Sequence, residues 1–273
     1  MTFININKKI FPLVSIITPS WNSEEYIEQT IQSVLAQTYP NIEYIIVDGK
    51  STDRTLEVIK RYEHKITHWV SEPDEGMYQA INKGFGIARG DIFAYLNSDD
   101  LYFPETIEKV VELFLKNPTT DLIFGSLDFI DVFGIKMYTQ RYPNFNWKRF
   151  ACSKYAMLGQ PASFWKRSLF LDAGGFDESL KMAADFDFYI KAGKVGAFFH
   201  TNKTLACFRV HPASLTSRYL AKSNKEISII HERYQNPDIR FYERFLSDIF
   251  FKTLNWRIML IKLINKMKKY FYD

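Results

Sequence analysis

An acidic turn, Asn97-Ser98-Asp99-Asp100, follows an apolar run and has the residue types that could bind a divalent cation. Hard cations such as Mg²⁺ and Mn²⁺ prefer oxygen ligands and need few from the protein when phosphate oxygens supply the rest. Such a cation neutralises the charge that develops on a diphosphate leaving group. A helix cap or a solvated turn has the same composition, and Asp100 is a candidate N-cap for the helix that follows. The turn therefore indicates a metal site only together with other residues.

Other side chains could take part in the same chemistry. Asp48 ends another apolar run and could accept hydrogen bonds from a base or a ribose, or form an ordinary Asp-Gly turn. Asp185 and Asp187 lie among apolar neighbours, and because two unpaired buried carboxylates are costly, we expect one to face a cleft. A carboxylate there could act as a general base. His211 could bind metal or phosphate, or be an ordinary structural histidine.

Strand and helix patterns alternate over the first 130 residues and would position these side chains. Apolar runs predict strands at 13–18, 42–47, 66–70 and 92–96, and amphipathic patterns predict helices at 23–37, 51–62 and 75–89, with Ser23 as the N-cap candidate of the first. Strands that are apolar on both faces and alternate with helices indicate a parallel, helix-covered sheet. Ligands collect at the carboxyl ends of such strands. The polar segments 18–22, 48–49 and 97–100 all follow strands.

The pattern changes after about residue 130. A short apolar run at 162–165, a helix at 182–191 and a strand at 204–210 indicate an elaboration of the same sheet. We predict one α/β domain at 1–217, with halves at 12–130 and 131–217, and a helical extension at 218–273.

The end of the chain is apolar and basic. Residues 241–271 mix large apolar side chains with the cations Lys252, Arg257, Lys262, Lys266, Lys268 and Lys269. This pattern favours an amphipathic helix on an anionic membrane surface. The alternative is a helix packed on its own domain or on a partner subunit, including a second copy of the chain.

The composition of the chain argues against several classes of protein. With 47% hydrophobic residues the chain can bury a substantial core, and a net charge of +4 is too small to indicate nucleic-acid binding. No window has the roughly 20 apolar residues that span a bilayer, and the first residues have no signal-peptide pattern, so we expect a cytoplasmic protein. Cys152 and Cys207 lack CxxC spacing and are expected to be reduced thiols.

The ordered segments together resemble family 2 glycosyltransferases of the GT-A fold, over residues 12–213. Residues 14–22 look like the opening strand and nucleotide loop of that family. Residues 72–84, and 173–177 followed by Ala-Asp-Phe-Asp, are similar to the branch that builds bacterial capsular, exopolysaccharide and O-antigen chains. The resemblance makes 12–130 the nucleotide-sugar-binding half and 131–217 the acceptor-side half.

The resemblance also implies residue roles. Asp185 would be the general base, Asp99 would bind Mn²⁺ or Mg²⁺, and His211 would be a further metal or phosphate contact. The positions it assigns to the nucleotide sugar are Thr18, Pro19, Trp21, Glu24, Asp48, Asp74, Lys83, Asn97 and Ser98.

Some positions depart from the family pattern. Asn97 stands where the DxD motif has its first aspartate, so it brings no charge to the metal. Gln79 stands where the related branch often has Asp. The arginine-tryptophan motif of processive synthases is missing, which favours transfer of a single sugar.

These features predict an inverting, metal-dependent transfer from a nucleotide sugar, with a UDP-sugar favoured, to a lipid-linked oligosaccharide at the inner face of the cytoplasmic membrane. A nucleotidyltransferase would carry a glycine-rich basic first loop, and a dehydrogenase would carry GxGxxG after the first strand. The alternative that stays open is a catalytically inactive sugar-nucleotide-binding or scaffold subunit, because Asn97 weakens the metal motif.

Overall fold

The computed structural model describes residues 11–152 and 158–234, together with Ile249 and Thr253. The strands of the described chain join into one sheet. They are β1 (Val14–Ser20), β2 (Ile42–Asp48), β3 (His68–Ser71), β4 (Ile92–Tyr95), β5 (Leu101–Tyr102), β6 (Leu122–Ile130), β7 (Lys136–Gln140), β8 (Ser163–Lys166) and β9 (Phe198–Arg209).

Helices fill the connections between these strands. They are α1 (Ile27–Leu35), α2 (Thr55–Tyr62), α3 (Met77–Ile87), α4 (Thr106–Lys116), α5 (Trp147–Cys152), α6 (Arg167–Asp172), α7 (Ala184–Val195), α8 (Leu215–Arg218) and α9 (Leu220–Arg233). Short 3-10 helices lie at Glu63–Lys65 and Gln160–Ala162.

The strand order is β3-β2-β1-β4-β8-β6-β9-β5, and β7 pairs with β6 outside this path. β3, β2, β1 and β4 run parallel, and β6 runs parallel to β9. β8 joins the two groups by pairing antiparallel with both β4 and β6. The predicted α/β fold is confirmed, and the second half extends the same sheet, although with several antiparallel pairs.

The register of the first strands aligns polar residues at their carboxyl ends. Ser20 lies opposite Asp48, which lies opposite Ser71. Every residue of β1 is buried, as the two-sided apolar pattern predicts. The three polar side chains therefore lie side by side at the carboxyl end of an apolar sheet.

An aromatic cluster fixes α3 and α7 on the sheet. Phe85 of α3 stacks on Phe93 at 4.7 Å between ring centroids, and Phe188 of α7 packs on Trp165 at 5.2 Å. Phe176 bridges them, with centroids 6.4 Å from Phe85 and 4.9 Å from Phe188. These buried rings hold α3 and α7 against the same sheet.

The two predicted helix caps are wrong. α1 begins at Ile27 and has Tyr26 at its N-cap position, without a side-chain hydrogen bond. Ser23 instead bonds other loops through its Oγ. α4 begins at Thr106, and the buried Asp100 is used elsewhere. Both side chains connect segments that are distant along the chain, which a local pattern does not reveal.

The extension predicted at 218–273 is described over α9, whose Ile230 is fully buried. Apart from Ile249 and Thr253, the basic segment 241–271 lies outside the described residues. Within the residues that the structure describes, no helix is long and apolar enough to cross a membrane. Cys207 is a buried free thiol, as predicted, while the side chain of Cys152 lies outside the description.

Candidate active site

Asp48 organises the carboxyl end of the first strands. Its buried carboxylate accepts hydrogen bonds from the Ser20 hydroxyl (3.0 Å), the Ser71 hydroxyl (2.7 Å), and both the hydroxyl (2.5 Å) and backbone N–H (2.9 Å) of Ser51. A carboxylate has about four lone-pair positions, so these donors occupy them all. A base contact by Asp48 would have to replace one of these bonds.

The loop after β1 is tied to the loop after β2. Asn22, with a φ of 47°, accepts a hydrogen bond from the backbone N–H of Thr52 at 2.8 Å. Glu24 accepts hydrogen bonds from the backbone and side chain of Arg54, which lower the pKa of this exposed carboxyl. Trp21 is 64% exposed between these anchors. Its ring is therefore open to a ligand that stacks on it.

Thr18 and Pro19 lie below this surface. Thr18 is fully buried and accepts a hydrogen bond from the Tyr44 hydroxyl at 3.1 Å, and Pro19 is a buried residue of β1. Thr18 therefore supports the pocket from within the core, and its side chain does not line the pocket surface.

Asp74 and Lys83 lie beyond β3. A Cβ at Gly49 would meet the Asp74 carboxylate at 2.5 Å, so Asp74 lies directly against the backbone next to Asp48. Asp74 also accepts the Gly76 N–H at 2.9 Å, just before α3. Lys83 forms an ion pair with Glu72 at 2.5 Å and is not a free cation. Asp74 thus belongs to the same sheet edge as Asp48.

The predicted acidic turn follows β4 and connects to the first loop. Ser98 shares a 2.8 Å hydrogen bond with Ser23 between their hydroxyls. Asn97 lies 3.4 Å from Gln160, which donates to the Tyr95 carbonyl at 2.7 Å. The Oδ1 of Asn97 is buried without a hydrogen-bond partner among the described residues.

Asp99 and His211, the two predicted metal contacts, lie side by side. Asp99 Oδ2 lies 2.9 Å from His211 Nε2, so the two atoms share a hydrogen bond. Neighbouring ligands of one cation also lie about 3 Å apart, and a cation bound here would replace this hydrogen bond. No group of three or more His, Cys, Asp or Glu in the described parts of the chain could hold a metal. Diphosphate oxygens and water would have to complete the coordination shell.

Arg209 holds the backbone of this turn. It is fully buried, and its Nε donates to the Asp99 carbonyl at 3.0 Å while its Nη2 donates to Gln29 at 2.7 Å. Its backbone N–H donates to the Asp100 carboxylate at 2.9 Å. Burial, and then the charge of Asp99, raise the pKa of Asp100 well above its usual range. Asp100 is therefore a structural acid, whereas the Asp99 side chain is partly exposed.

Asp185 lies in the first turn of α7. Its Oδ1 accepts hydrogen bonds from the Tyr78 hydroxyl at 3.0 Å and the Phe186 N–H at 2.8 Å, and the residue is partly exposed. Burial raises the pKa of its carboxyl, although both hydrogen bonds oppose this effect. Burial and then the Asp185 charge raise the pKa of Tyr95, at the end of β4. Asp185 is thus close to the strand that carries the acidic turn.

Asp187 has a different environment from Asp185. It is fully buried and pairs with Lys191 at 3.1 Å and Arg233 at 3.2 Å. Tyr234 also donates a hydrogen bond to it at 3.0 Å. The buried Asp187 is thus paired with two cations, while Asp185 is partly exposed.

Several residues of the site were not predicted. Tyr78 belongs to the segment 72–84, but no pattern in the sequence indicates a partner for its hydroxyl. Gln160, Arg209 and Glu226 contact the site from distant parts of the chain. The only local signal among them is a charged residue, Arg209, at the end of an otherwise apolar strand.

Comparisons with known proteins agree with this architecture. A family model described as glycosyl transferase family 2 matches residues 15–171. An uncharacterized glycosyltransferase of Rickettsia typhi is 34% identical over 77% of this chain and 67% of its own length. The hyaluronan synthase of Pasteurella multocida is 28% identical over 85% of this chain, which spans only 24% of that protein.

A solved structure shares the fold. The S. aureus TarS fragment 1–349 in complex with UDP-GlcNAc superposes with a TM-score of 0.68 at 20% identity, covering 90% of this chain and 73% of that one. At this identity the likeness concerns the fold alone. Together with the family match, it shows that the chain belongs to glycosyl transferase family 2 and is a glycosyltransferase of the GT-A fold.

Proposed function

We propose that this glycosyltransferase transfers one sugar from a UDP-sugar to an acceptor hydroxyl with inversion, assisted by Mn²⁺ or Mg²⁺. The observation that supports the proposal is that Asp185, an acid whose pKa burial raises, acts electrostatically on Tyr95 at the end of β4, the strand that leads into the turn with Asp99 and its partner His211. A base, together with a group that neutralises the leaving diphosphate, is what a direct displacement requires.

In the proposed reaction, Asp185 removes the proton from the acceptor hydroxyl, whose oxygen attacks the anomeric carbon. The bond from that carbon to the nucleoside diphosphate breaks as the new bond forms, and the electron pair leaves with the diphosphate. A single displacement inverts the anomeric centre. Tyr78 donates to Asp185 and fixes the orientation of the carboxylate that accepts the proton.

Asp99 and His211 would hold the cation, which supplies charge neutralisation to the diphosphate when bound. Asn97 has an uncharged side chain whose buried Oδ1 has no partner among the described residues, so it could accept a hydrogen bond from the donor. Trp21 offers an exposed face to the base. Asp48 would contribute mainly by holding the loops that form this pocket.

We propose a lipid-linked oligosaccharide as the acceptor, with the enzyme peripheral on the inner face of the cytoplasmic membrane. The resemblance to the surface-polysaccharide branch and the basic apolar segment 241–271 support this proposal. The P. multocida relative, named a hyaluronan synthase, also belongs to polysaccharide chemistry. The missing arginine-tryptophan motif supports addition of a single sugar.

The donor and the metal can be tested together by thermal shift. A ligand that binds only the folded state raises stability, by about 2.7 kcal/mol at a hundred times its Kd. We expect UDP with Mn²⁺ to raise the Tm more than UDP alone, and more than GDP or dTDP with Mn²⁺. Equal shifts with and without Mn²⁺ would contradict the metal role.

The base can be tested with Asp185→Asn. Asparagine cannot accept the proton, so we expect transfer to fall by at least about a hundredfold, while the thermal shift with UDP and Mn²⁺ stays as in the wild type. Asp172→Asn, an exposed change on α6, is the matched control. If the wild type binds UDP but never turns over any UDP-sugar, the alternative of an inactive sugar-nucleotide-binding subunit takes the place of this proposal.

A further inference from the structure

Glu226 of α9 binds the backbone that leads into α7. Its carboxylate is only 8% exposed. One oxygen accepts the Lys181 N–H at 3.0 Å, and the other accepts the N–H groups of Met182 at 2.8 Å and Ala183 at 3.0 Å. These N–H groups lie just before α7, which begins at Ala184, and the buried carboxylate supplies the acceptor that they need.

The same helix binds α7 on the other side of Asp185. Arg233 donates to Asp177 at 2.8 Å and to Asp187 at 3.2 Å, and Tyr234 donates to Asp187. Asp185 therefore lies between two points where α9 holds the chain. Its backbone position depends on a helix that lies outside the family match at 15–171.

We infer that Glu226 is a positioning residue for the base Asp185, and that α9 is thereby part of the sugar-transfer machinery. The inference rests on the proposed role of Asp185 as the base. A carboxylate that binds three consecutive N–H groups also determines the position of the first turn of α7, which contains Asp185. A displacement of about 1 Å at a reacting group can reduce a rate by about a hundredfold.

The charge of Glu226 acts on Asp185 as well. The titratable groups around Asp185 are Tyr78 from α3, Tyr95 from β4, Tyr189 from α7 itself and Glu226 from α9. The tyrosines stay neutral because burial raises their pKa well above the usual range. Burial raises the pKa of Asp185, and the negative Glu226 raises it further.

The test is Glu226→Gln compared with Glu232→Gln. Both remove one negative charge from α9, but the Glu232 side chain is exposed, whereas that of Glu226 is buried against the chain before α7. The glutamine amide at 226 would point a donor at a backbone donor. With the UDP-sugar that the wild type turns over, we expect kcat to fall between about ten- and a hundredfold and KM for the donor to change by less than about twofold. The acid limb of the kcat profile should move to lower pH, since a negative neighbour is lost.

Amide hydrogen exchange gives a readout that needs no activity. In Glu226→Gln we expect the amides of Lys181, Met182 and Ala183 to exchange about tenfold faster or more, because charge-assisted hydrogen bonds are lost. Glu232→Gln should leave them unchanged. Unchanged exchange in Glu226→Gln would show that Glu226 does not hold these three amides, and wild-type kcat with an unmoved acid limb would overturn the positioning role.

The outcomes separate this inference from the proposed function. If the wild type shows no turnover, or Asp185→Asn transfers as well as the wild type, the proposed base fails whatever Glu226 does. If Glu226→Gln does not fold, Glu226→Asp replaces it, since the charge remains on a side chain one methylene shorter. We then expect a lower kcat with the acid limb in place, and wild-type kcat for this variant would overturn the role.

Discussion

The Asp185 carboxylate is subject to opposing influences on its pKa. Burial raises the pKa, and the hydrogen bonds from Phe186 N–H and the Tyr78 hydroxyl lower it, with a net rise. A base must be ionised to accept a proton, so the transfer rate should fall as the pH drops through this pKa. That point should lie above about 4, the ordinary value for an aspartate.

Tyr78→Phe tests how much the Tyr78 hydroxyl contributes to the pKa of Asp185. Removing a hydroxyl that stabilises the ionised form should raise the pKa of Asp185, and therefore move the acid limb of the kcat profile to higher pH. A hydrogen bond to a charge is worth about 1.5 kcal/mol, so the expected shift is about one pH unit. The direction is opposite to that expected for Glu226→Gln.

Tyr62→Phe is the matched control. Tyr62 is the last residue of α2, and its hydroxyl donates to Glu28 of α1 rather than to Asp185. It should leave the kcat profile unchanged. An acid limb that stays in place or moves to lower pH in Tyr78→Phe would show that the Tyr78 hydroxyl does not stabilise the ionised base.

At the scale of elements, Arg209 at the end of β9 hydrogen-bonds to three other segments of the chain. Besides the Asp99 carbonyl and Gln29 of α1, its Nη1 donates to the carbonyls of Asp131 (3.2 Å) and Val132 (3.1 Å) in the β6–β7 turn. The guanidinium also lies 4.6 Å from the centre of the Tyr26 ring. A planar group with five donors can satisfy this set, and a smaller cation cannot.

Arg209→Met should destabilise the fold and loosen the metal turn. Four acceptor oxygens would lose a donor, and at about 0.5–1.5 kcal/mol each we expect the free energy of unfolding to fall by about 2–6 kcal/mol. Urea denaturation measures this loss. Arg61→Met removes an exposed pair with Glu28 and should cost less than about 1 kcal/mol. An equal loss in both variants would contradict this role of Arg209.

The strands that could be predicted from the sequence are those whose own residues specify them. β1, β2 and β4 are apolar on both faces and lie between helical patterns, so their positions were predicted to within a few residues. β5 has two residues and forms only because β9 pairs with it. The antiparallel pairing of β8 with β4 and β6 likewise depends on partners distant along the chain.

The site shows the same division. Asp99 and Asp185 belong to recognisable motifs, the first in the turn after β4 and the second in the first turn of α7. The side chains that hold them, Arg209 and Glu226, carry no motif because their role depends on packing against elements far along the chain. The resemblance assigns Thr18 to the nucleotide sugar, yet its side chain is fully buried in the core, because β1 is covered on both faces.

For the whole molecule, the extension predicted at 218–273 contains parts with different roles. α9 is held to the domain by Glu226 and Arg233. The apolar and basic segment 241–271 has the composition expected of a membrane-surface helix. The domain boundary at 217 stays a prediction. Because α9 is bonded to the domain, a truncation that spares the domain should begin after residue 240.

Deletion of residues 241–273 tests whether this segment binds the enzyme to a membrane surface. Each Lys or Arg near an anionic surface contributes about 1 kcal/mol, so losing this segment should abolish binding to vesicles that contain about 30% phosphatidylserine, measured by flotation. Because α9 remains, the thermal shift with UDP and Mn²⁺ should stay as in the full chain. The full chain should also be released by about 0.5 M salt. Vesicle binding that survives the deletion, or its absence from the full chain, would favour packing of the segment on the domain or on a second copy.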